Sequence, residues 1–129
     1  MDKFPVDYRT RNVANAHNSD IWIEAQTAIN TARLLGAEYH VGYVFTENDP
    51  FFFLDIDNCL QDNGAWSELA LNLIGMLPGA AVEVSQSGCG LHIYGSYSGA
   101  MPDHACKNIS LGIELYHKDR FVVLTGAMI

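Results

Sequence analysis

Positively charged residues are few in this sequence. Seven lysines and arginines stand against fifteen aspartates and glutamates, and the formal net charge is −8. Proteins that bind nucleic-acid phosphates normally present a basic surface, so this charge argues against tight nucleic-acid binding by the chain alone. A carboxylate cluster that holds metal ions would soften the objection, because bound cations neutralise or reverse the local charge. The cations fall into two groups, Lys3/Arg9/Arg11 and Lys107/Lys118/Arg120, with Arg33 apart.

Cysteine is also scarce. Cys59, Cys89 and Cys106 cannot all pair with one another, and none of them belongs to a CxxC motif. This pattern favours reduced thiols in a cytosolic protein over a disulfide framework. His104 and Cys106 would supply half of a zinc site, but no second pair lies at zinc-ligand spacing, and we interpret both as loop residues.

Long apolar runs are missing as well. No segment approaches the roughly 18 consecutive apolar residues that a membrane-spanning helix requires. The first residues, Met1-Asp2-Lys3-Phe4-Pro5, do not resemble a signal peptide. We therefore expect a cytoplasmic protein with no membrane partner. The chain has 129 residues, of which 49% are hydrophobic and 17% charged, and it is expected to form one globular domain over residues 1–129.

The spacing of apolar residues predicts two helices. The first begins at an N-cap, Ser19, and ends at Gly36. We interpret its apolar stripe as core, and the stripe consists of Ile21, Ala25, Ala28, Ile29, Ala32 and Leu35. The second helix covers residues 65–76 and ends before Pro78. The segments expected to be irregular are 1–18 and 98–108.

Aromatic and β-branched residues predict about six strands. They cover residues 39–45, 51–56, 81–84, 91–97, 111–116 and 121–125. Turn residues at 47–50 predict a hairpin between the first two strands, and residues 117–120 predict one between the last two. Two helices and mostly hairpin-linked strands indicate an α+β fold, in which the helices pack on one face of a mostly antiparallel sheet.

An acidic pair ends the second predicted strand. Asp55 and Asp57 lie two positions apart, so their side chains project from the same face with Cα atoms roughly 6.5 Å apart. Carboxylates so placed can bridge two metal ions about 3.5–4 Å apart, an arrangement that serves phosphoryl transfer. Hard oxygen ligands favour Mg²⁺ or Mn²⁺ over zinc. The alternative is a strand that simply ends in solvent at Asp57.

A glycine-rich turn, SQSGCGLH at residues 85–92, leads into the fourth predicted strand. Glycines let backbone N–H groups approach a phosphate closely, and Ser87 adds a hydroxyl donor. Alternation along the strand places His92 on its polar face, where an imidazole can donate a hydrogen bond to a triphosphate. The alternative is a glycine hairpin with a histidine that has an ordinary structural partner.

Two further charges lie in the last predicted strands. Ile113 and Leu115 share one face of their strand, which leaves Glu114 on the opposite face. A carboxylate there needs a metal, a cation or solvent as its partner. Arg120 begins the next strand, and a guanidinium near a metal-bound triphosphate can neutralise developing charge. The alternatives are an exposed sheet face and a lone surface arginine.

The order of these segments resembles the archaeo-eukaryotic primase superfamily, and most closely its bifunctional primase-polymerase branch in phages and plasmids. That branch shows a DxD or DxE strand, a glycine-rich serine-to-histidine turn, and an acidic strand followed by an arginine-to-Thr-Gly strand. The matching runs are FFLDID at 52–57, SQSGCGLH at 85–92, IELY at 113–116 and RFVVLTG at 120–126. Residues 3–5, the helix from Ser19 and residues 41–45 also fit, so the resemblance spans nearly the whole chain.

The resemblance implies a primase-polymerase catalytic core with an RRM-like sheet, either alone or as a fragment of a longer replication protein. It implies that Asp55, Asp57 and Glu114 are catalytic and hold Mg²⁺ or Mn²⁺, with two ions in the site. The residues implied to contact the nucleotide are Ser87, Gly88, Gly90, His92, Arg120 and Lys3. The implied activity is that of a DNA primase and DNA polymerase, a nucleotidyltransferase that extends a 3′-hydroxyl in phage or plasmid replication.

The implied partners are nucleoside triphosphates, a DNA template with its primer, and a helicase module or partner outside this chain. Two alternatives remain. One is a relative of the same fold that binds nucleotide or single-stranded nucleic acid without polymerising. The other is a metal-dependent hydrolase that uses the same carboxylates on a phosphodiester. The sequence leaves open the choice between ribo- and deoxynucleotides and between primer synthesis and primer extension.

Overall fold

The computed structural model describes residues 3–102 and 104–129. Met1, Asp2 and Asp103, which we predicted to lie in irregular segments, are outside the described residues. The elements are a 3-10 turn (Ser19–Ile21), α1 (Ala25–Leu35), β1 (Gly42–Phe45), β2 (Phe51–Ile56), α2 (Glu68–Met76), β3 (Ala81–Val84), β4 (Leu91–Ser96), β5 (Lys107–Asn108), β6 (Ile113–Tyr116) and β7 (Arg120–Val123). This set of helices and strands confirms the predicted α+β class.

The strands form two sheets. The larger one has five strands in the order β3-β4-β2-β6-β5, and the smaller one consists of β1 and β7. All of these strand pairs are antiparallel. Both predicted hairpins are wrong, because residues 47–50 and 117–120 connect one sheet to the other. Phe45 and Phe53 stack with ring centroids 5.9 Å apart, so β1 covers β2 instead of pairing with it.

One face of the larger sheet is apolar and carries the core. Alternate residues of the two central strands are buried there: Leu54, Ile56, Leu91 and Ile93. Helix α2 packs on this face through Ala70, Leu73 and Ile74. The helix begins at Glu68, three residues later than predicted, because the Ser67 hydroxyl caps it by accepting from the Ala70 N–H at 3.2 Å.

The first helix is shorter than predicted. Asn18 caps a 3-10 turn, and α1 begins only at Ala25 with Glu24 as its N-cap. Between them Trp22 is extended, and its Nε1–H donates to the Ala16 carbonyl at 2.7 Å. The interpretation of the predicted stripe as core is wrong, since α1 buries no residue fully and lines a cleft with β1 and β7. Within the described residues, no helix has the length and apolarity to cross a membrane.

Strand ends also differ from the predictions. Lys107–Asn108 forms the short strand β5 inside a segment predicted to be irregular, and it pairs with β6. Strand β6 begins at Ile113 rather than at residue 111 because Gly112 has a φ of +69°, in the left-handed region that interrupts a strand. The predicted strands at 39–45 and 91–97 are also shorter in the structure, Gly42–Phe45 and Leu91–Ser96, and the strand predicted at 121–125 is Arg120–Val123.

Candidate metal centre

The second face of the larger sheet carries a line of polar side chains. The strand registers pair Glu83 with His92, His92 with Asp55, Asp55 with Glu114, and Glu114 with Lys107. Directly paired residues point to the same face, so each strand of this sheet contributes one residue to the line. We call these five residues the polar row. Asp55 lies in its middle, with His92 on one side and Glu114 on the other.

An aromatic layer borders the polar row on one side. Tyr94, Phe53 and Tyr116 are paired across the three central strands. The Phe53 ring stacks on Tyr94 with centroids 5.3 Å apart and on Tyr116 with centroids 6.5 Å apart. The smaller sheet covers this layer with Phe45 and Val122. The polar row therefore lies between a packed aromatic core and the strand ends that carry the turns.

The structure brings the three predicted carboxylates together. Asp55, Asp57 and Glu114 each offer an oxygen, and these oxygens all lie within 4.8 Å of one another. Asp57 follows the last residue of β2, and its N–H donates to the Gly112 carbonyl at 2.8 Å, which holds it beside β6. Within the described residues, these three side chains form the one group of three or more potential metal ligands that lie close enough to share an ion. His104 and Cys106 do not belong to it.

The carboxylate group has an excess of negative charge. Burial and the charge of Asp57, together with that of Glu114, raise the pKa of Asp55 to about 6, although His92 and Arg120 act in the opposite direction. A cation between these oxygens would relieve that repulsion. Hard, anionic oxygen ligands are the set that Mg²⁺ and Mn²⁺ prefer, so the residues present fit a divalent cation of this kind.

Cationic and hydroxyl groups surround Glu114. The Tyr116 hydroxyl donates to its Oε1 at 2.7 Å, and Lys107 Nζ lies 3.6 Å from the same oxygen. Arg120 Nη2 lies 4.0 Å from it, with the guanidinium 4.5 Å above the centre of the Tyr116 ring. Burial alone would raise the pKa of Glu114, but the hydrogen bond from Tyr116 and the charges of Arg120 and Lys107 outweigh it and lower this pKa. Glu114 is therefore held as a carboxylate.

The glycine-rich turn lies beside the segment that follows Asp57. The Cys89 carbonyl accepts from the N–H groups of Cys59 and Leu60 at 2.9 and 3.1 Å. Glycine is also required at position 90, since a Cβ there would lie 2.8 Å from the Ile56 carbonyl oxygen. The end of the turn is therefore packed against the end of β2, next to Asp57.

Hydroxyl groups order the turn from within. The Ser85 and Ser87 hydroxyl oxygens lie 3.0 Å apart, and the Ser87 hydroxyl accepts from the Cys89 N–H at 3.2 Å. Gly88 lies at the tip of the turn, between Ser87 and Cys89 in the sequence. Ser87 is exposed, so its hydroxyl is accessible to a ligand.

Lys3 lines a cleft whose lining includes none of the three carboxylates. Lys3 is exposed, and the cleft, of about 580 Å³, lies between the N-terminal segment, α1 and the smaller sheet. Gln86, from the glycine-rich turn, lines the same cleft. The predicted contact of Lys3 with a nucleotide therefore stays a prediction.

Glu83 was missed in the sequence. It is 3% exposed and lies at the end of the polar row beside His92. The signal was an acidic residue inside the apolar strand Ala81–Val84, the same signal that identified Glu114. Without the strand order, nothing in the sequence placed it next to His92.

Comparison with known proteins gives a similarity to a phage enzyme. No model of a known protein family matches the chain. The chain is 32% identical over 94 residues to a protein of Nitratiruptor phage NrS-1 described as a DNA primase-polymerase. The match covers 67% of this chain, and the chain spans 12% of the length of that relative. This similarity supports a relationship to primase-polymerases.

Proposed function

We propose that this chain is a metal-dependent nucleotidyltransferase, a primase-polymerase core of the archaeo-eukaryotic primase superfamily that adds nucleotides to the 3′-hydroxyl of a primer on a DNA template. The observation that carries the proposal is the group formed by Asp55, Asp57 and Glu114, whose ligand oxygens lie within 4.8 Å of one another. The similarity to a phage DNA primase-polymerase supports the same class of reaction.

Asp55, Asp57 and Glu114 would hold two Mg²⁺ or Mn²⁺ ions. When bound, such ions stabilise charge on the attacking and leaving oxygens and lower the pKa of the attacking hydroxyl. The chain's own contribution is to fix Asp55 and Glu114 on adjacent strands and Asp57 directly after one of them. Phosphoryl transfer depends mainly on positioning and charge stabilisation, and a site built on strands provides both.

The triphosphate of the incoming nucleotide would lie beside His92 and Arg120. His92 Nε2 is 3.8 Å from Asp55 Oδ1, so the imidazole faces the carboxylate group. In the imidazolium form, with both ring nitrogens protonated, Nε2 would donate a hydrogen bond to a phosphate held there. Arg120 would place a positive charge at the opposite side of the group, next to Glu114. The exposed Ser87 hydroxyl and the backbone around Gly88 and Gly90 would contact the phosphates from the turn, and Lys3 would add a cation.

The template is proposed to bind with help from outside this chain. A net charge of −8 is unfavourable for contacts with the phosphates of a DNA strand. We therefore extend the proposal to a longer replication protein of a phage or plasmid, with residues 1–129 as its catalytic core domain. A helicase module or partner would act with it in the cytoplasm.

Primer extension tests this function directly. The wild-type protein is mixed with a large excess of primed DNA template, to offset weak template binding by the chain alone, with labelled nucleotides and Mn²⁺ or Mg²⁺, and compared with Asp55→Ala. Asp62→Ala is the matched control, because Asp62 is exposed in a turn and lies outside the carboxylate group. We expect metal-dependent extension by the wild type and the control, and none by Asp55→Ala. Full extension by Asp55→Ala contradicts the proposal; release of nucleotides without extension would favour a phosphodiester hydrolase, and binding without either reaction a non-polymerising relative.

A further inference from the structure

Glu83 and His92 are the two buried polar residues in the described part of the chain, with 3% and 5% of their surface exposed. A buried carboxylate is stable only where donors or cations satisfy its oxygens. Glu83 takes no part in the proposed metal centre. Its burial therefore requires a separate explanation.

Four donors satisfy the Glu83 carboxylate. Its Oε2 accepts from His92 Nδ1 at 2.9 Å and from the Tyr94 hydroxyl at 3.0 Å. The backbone N–H groups of Thr125 and Gly126 donate to the other oxygen, Oε1, at 3.2 and 3.1 Å. Burial alone would raise the pKa of Glu83, but the hydrogen bonds from His92, Thr125, Gly126 and Tyr94 outweigh it and lower this pKa. Glu83 is thus an ionised group that can only accept.

An acceptor-only partner requires a proton on the His92 nitrogen that faces it, in either the neutral or the doubly protonated ring. Nδ1 must be the donor in its 2.9 Å contact with the Glu83 carboxylate. The edge of the ring packs on Phe53, with ring centroids 5.1 Å apart and planes at 74°. These contacts leave Nε2 facing Asp55, 3.8 Å from its Oδ1. The orientation of His92 is therefore set from the side opposite to the carboxylate group.

The C-terminal segment holds Glu83 in place. The Thr125 hydroxyl donates to the Val84 carbonyl at 2.6 Å, and the Val84 N–H donates to the Ala127 carbonyl at 2.8 Å. These bonds fasten the segment after β7 to β3, so that the N–H groups of Thr125 and Gly126 meet the Glu83 carboxylate. Thr125 and Gly126 end the RFVVLTG run, which is part of the resemblance to primase-polymerases. The proposed metal centre does not use either residue.

We infer that Glu83, anchored by the backbone of Thr125 and Gly126, is a positioning residue that fixes His92 with Nδ1 as donor and Nε2 toward the carboxylate group. Its effect on nucleotide binding rests on the proposed function. The hydrogen bond between Glu83 and His92 does not. Partners of this kind, which orient a site residue through its second ring nitrogen, typically change affinity or activity about 10–100-fold when they are mutated.

Nuclear magnetic resonance on the ¹⁵N-labelled wild-type protein tests the hydrogen bond first. His92→Asn identifies the ring signals of His92, since only those disappear. We expect a protonated Nδ1 in the wild type and a loss of this preference in Glu83→Gln. An unprotonated Nδ1 in the wild type overturns the inference. The wild-type spectrum requires neither a variant of Glu83 nor a nucleotide. It therefore tests the hydrogen bond even where Glu83→Gln does not fold or nucleotide does not bind.

Calorimetry with dATP or ATP and Mn²⁺ tests the consequence. Glu83→Gln is expected to weaken nucleotide binding about tenfold while the affinity for Mn²⁺ alone stays within about twofold. Glu47→Gln, at an exposed turn residue, is the control and should bind as the wild type does. In a His92→Asn background, which keeps an amide near the position of Nδ1, Glu83→Gln should add no further loss. A second tenfold loss there overturns the inference, because Glu83 would then act elsewhere. A wild type that binds no nucleotide contradicts the proposed function instead.

Discussion

The two faces of the larger sheet are built from the same strands and differ in almost every property. One face presents Leu54, Ile56, Leu91 and Ile93, all buried against α2. The other presents the polar row, with Asp55 at its centre. Since successive residues of a strand point to opposite faces, a shift of one residue in register would exchange the two sets. The apolar face therefore also fixes the positions of the carboxylates.

The faces also differ in what they contribute to stability. The apolar face gains from burial without opposing charge. On the polar face the pKa of Asp55 is raised to about 6 by burial and by neighbouring carboxylates, so ionised Asp55 opposes folding unless a cation is bound. Stability therefore depends mainly on one face of the sheet and site chemistry on the other. Substitutions on one face should change stability, and substitutions on the other should change the chemistry.

The largest effect is expected for the proposed metal ligands. Asp55→Ala or Glu114→Ala should lower the rate of primer extension by about 1,000-fold or more, because several kcal/mol of charge stabilisation depend on bound metal. The fold should persist, since neither residue belongs to the buried clusters. Rates from single-turnover extension and melting curves from circular dichroism check both parts. An unfolded Asp55→Ala protein would contradict the separation of the two faces.

The opposite behaviour is expected on the apolar face. Ile93 is fully buried, and Ile93→Ala should lower the free energy of unfolding by about 2–4 kcal/mol through lost burial and the cavity it leaves. Leu34→Ala is the control, because Leu34 is 87% exposed and its loss should change stability by less than about 0.5 kcal/mol. Urea unfolding measures both variants. Below its melting point the Ile93→Ala protein should still bind Mn²⁺ as the wild type does.

How much of this was visible in the sequence depends on the range of the interaction. Alternation along single strands placed Asp55, Asp57, His92 and Glu114 on polar faces, and in the structure the three carboxylates of this set lie close together. The β3 bounds, Ala81–Val84, were predicted correctly because turns flank the strand on both sides. These are local properties that a short window of sequence contains.

Strand partners were not visible, because they depend on distant residues. Phe45 pairs with Arg120, across most of the chain, so turn residues beside each strand gave no information about this pairing. The predicted hairpins failed for this reason, and so did the recognition of Glu83 as a partner of His92. The first helix failed for a different reason: Trp22 bonds to Ala16, a contact that no capping pattern at Ser19 would reveal.

A smaller effect is expected for Arg120, which lies beside Glu114 and is proposed to contact the nucleotide. Arg120→Gln should weaken binding of dATP with Mn²⁺ about tenfold, through loss of one charge-assisted contact with phosphate. Lys118→Gln is the matched control: Lys118 is two residues away and pairs with exposed Glu47 at 3.7 Å. Equal losses in both variants would show a general effect of charge instead of a contact by Arg120.

The smallest effect concerns stability without metal. The folded-state pKa of Asp55, about 6, lies above its ordinary value of 3.8, so its ionisation opposes folding above pH 6 and ceases to do so as the pH falls toward 4. In EDTA at pH 8, Asp55→Asn should therefore be more stable than the wild type by roughly 1 kcal/mol, allowing for solvent screening. The advantage should shrink at pH 5. Urea unfolding at both pH values measures it, and an unchanged difference would contradict the repulsion among the carboxylates.

The most direct test of the metal centre is calorimetric titration of a nucleoside triphosphate into the wild-type protein and Asp55→Ala, each with and without Mn²⁺. The carboxylate group of Asp55, Asp57 and Glu114 predicts that the wild type binds nucleotide only when Mn²⁺ is present, and that Asp55→Ala does not bind it in either condition. Equal binding by the two proteins, or the same wild-type affinity without Mn²⁺, would contradict a metal-dependent nucleotide site at these residues.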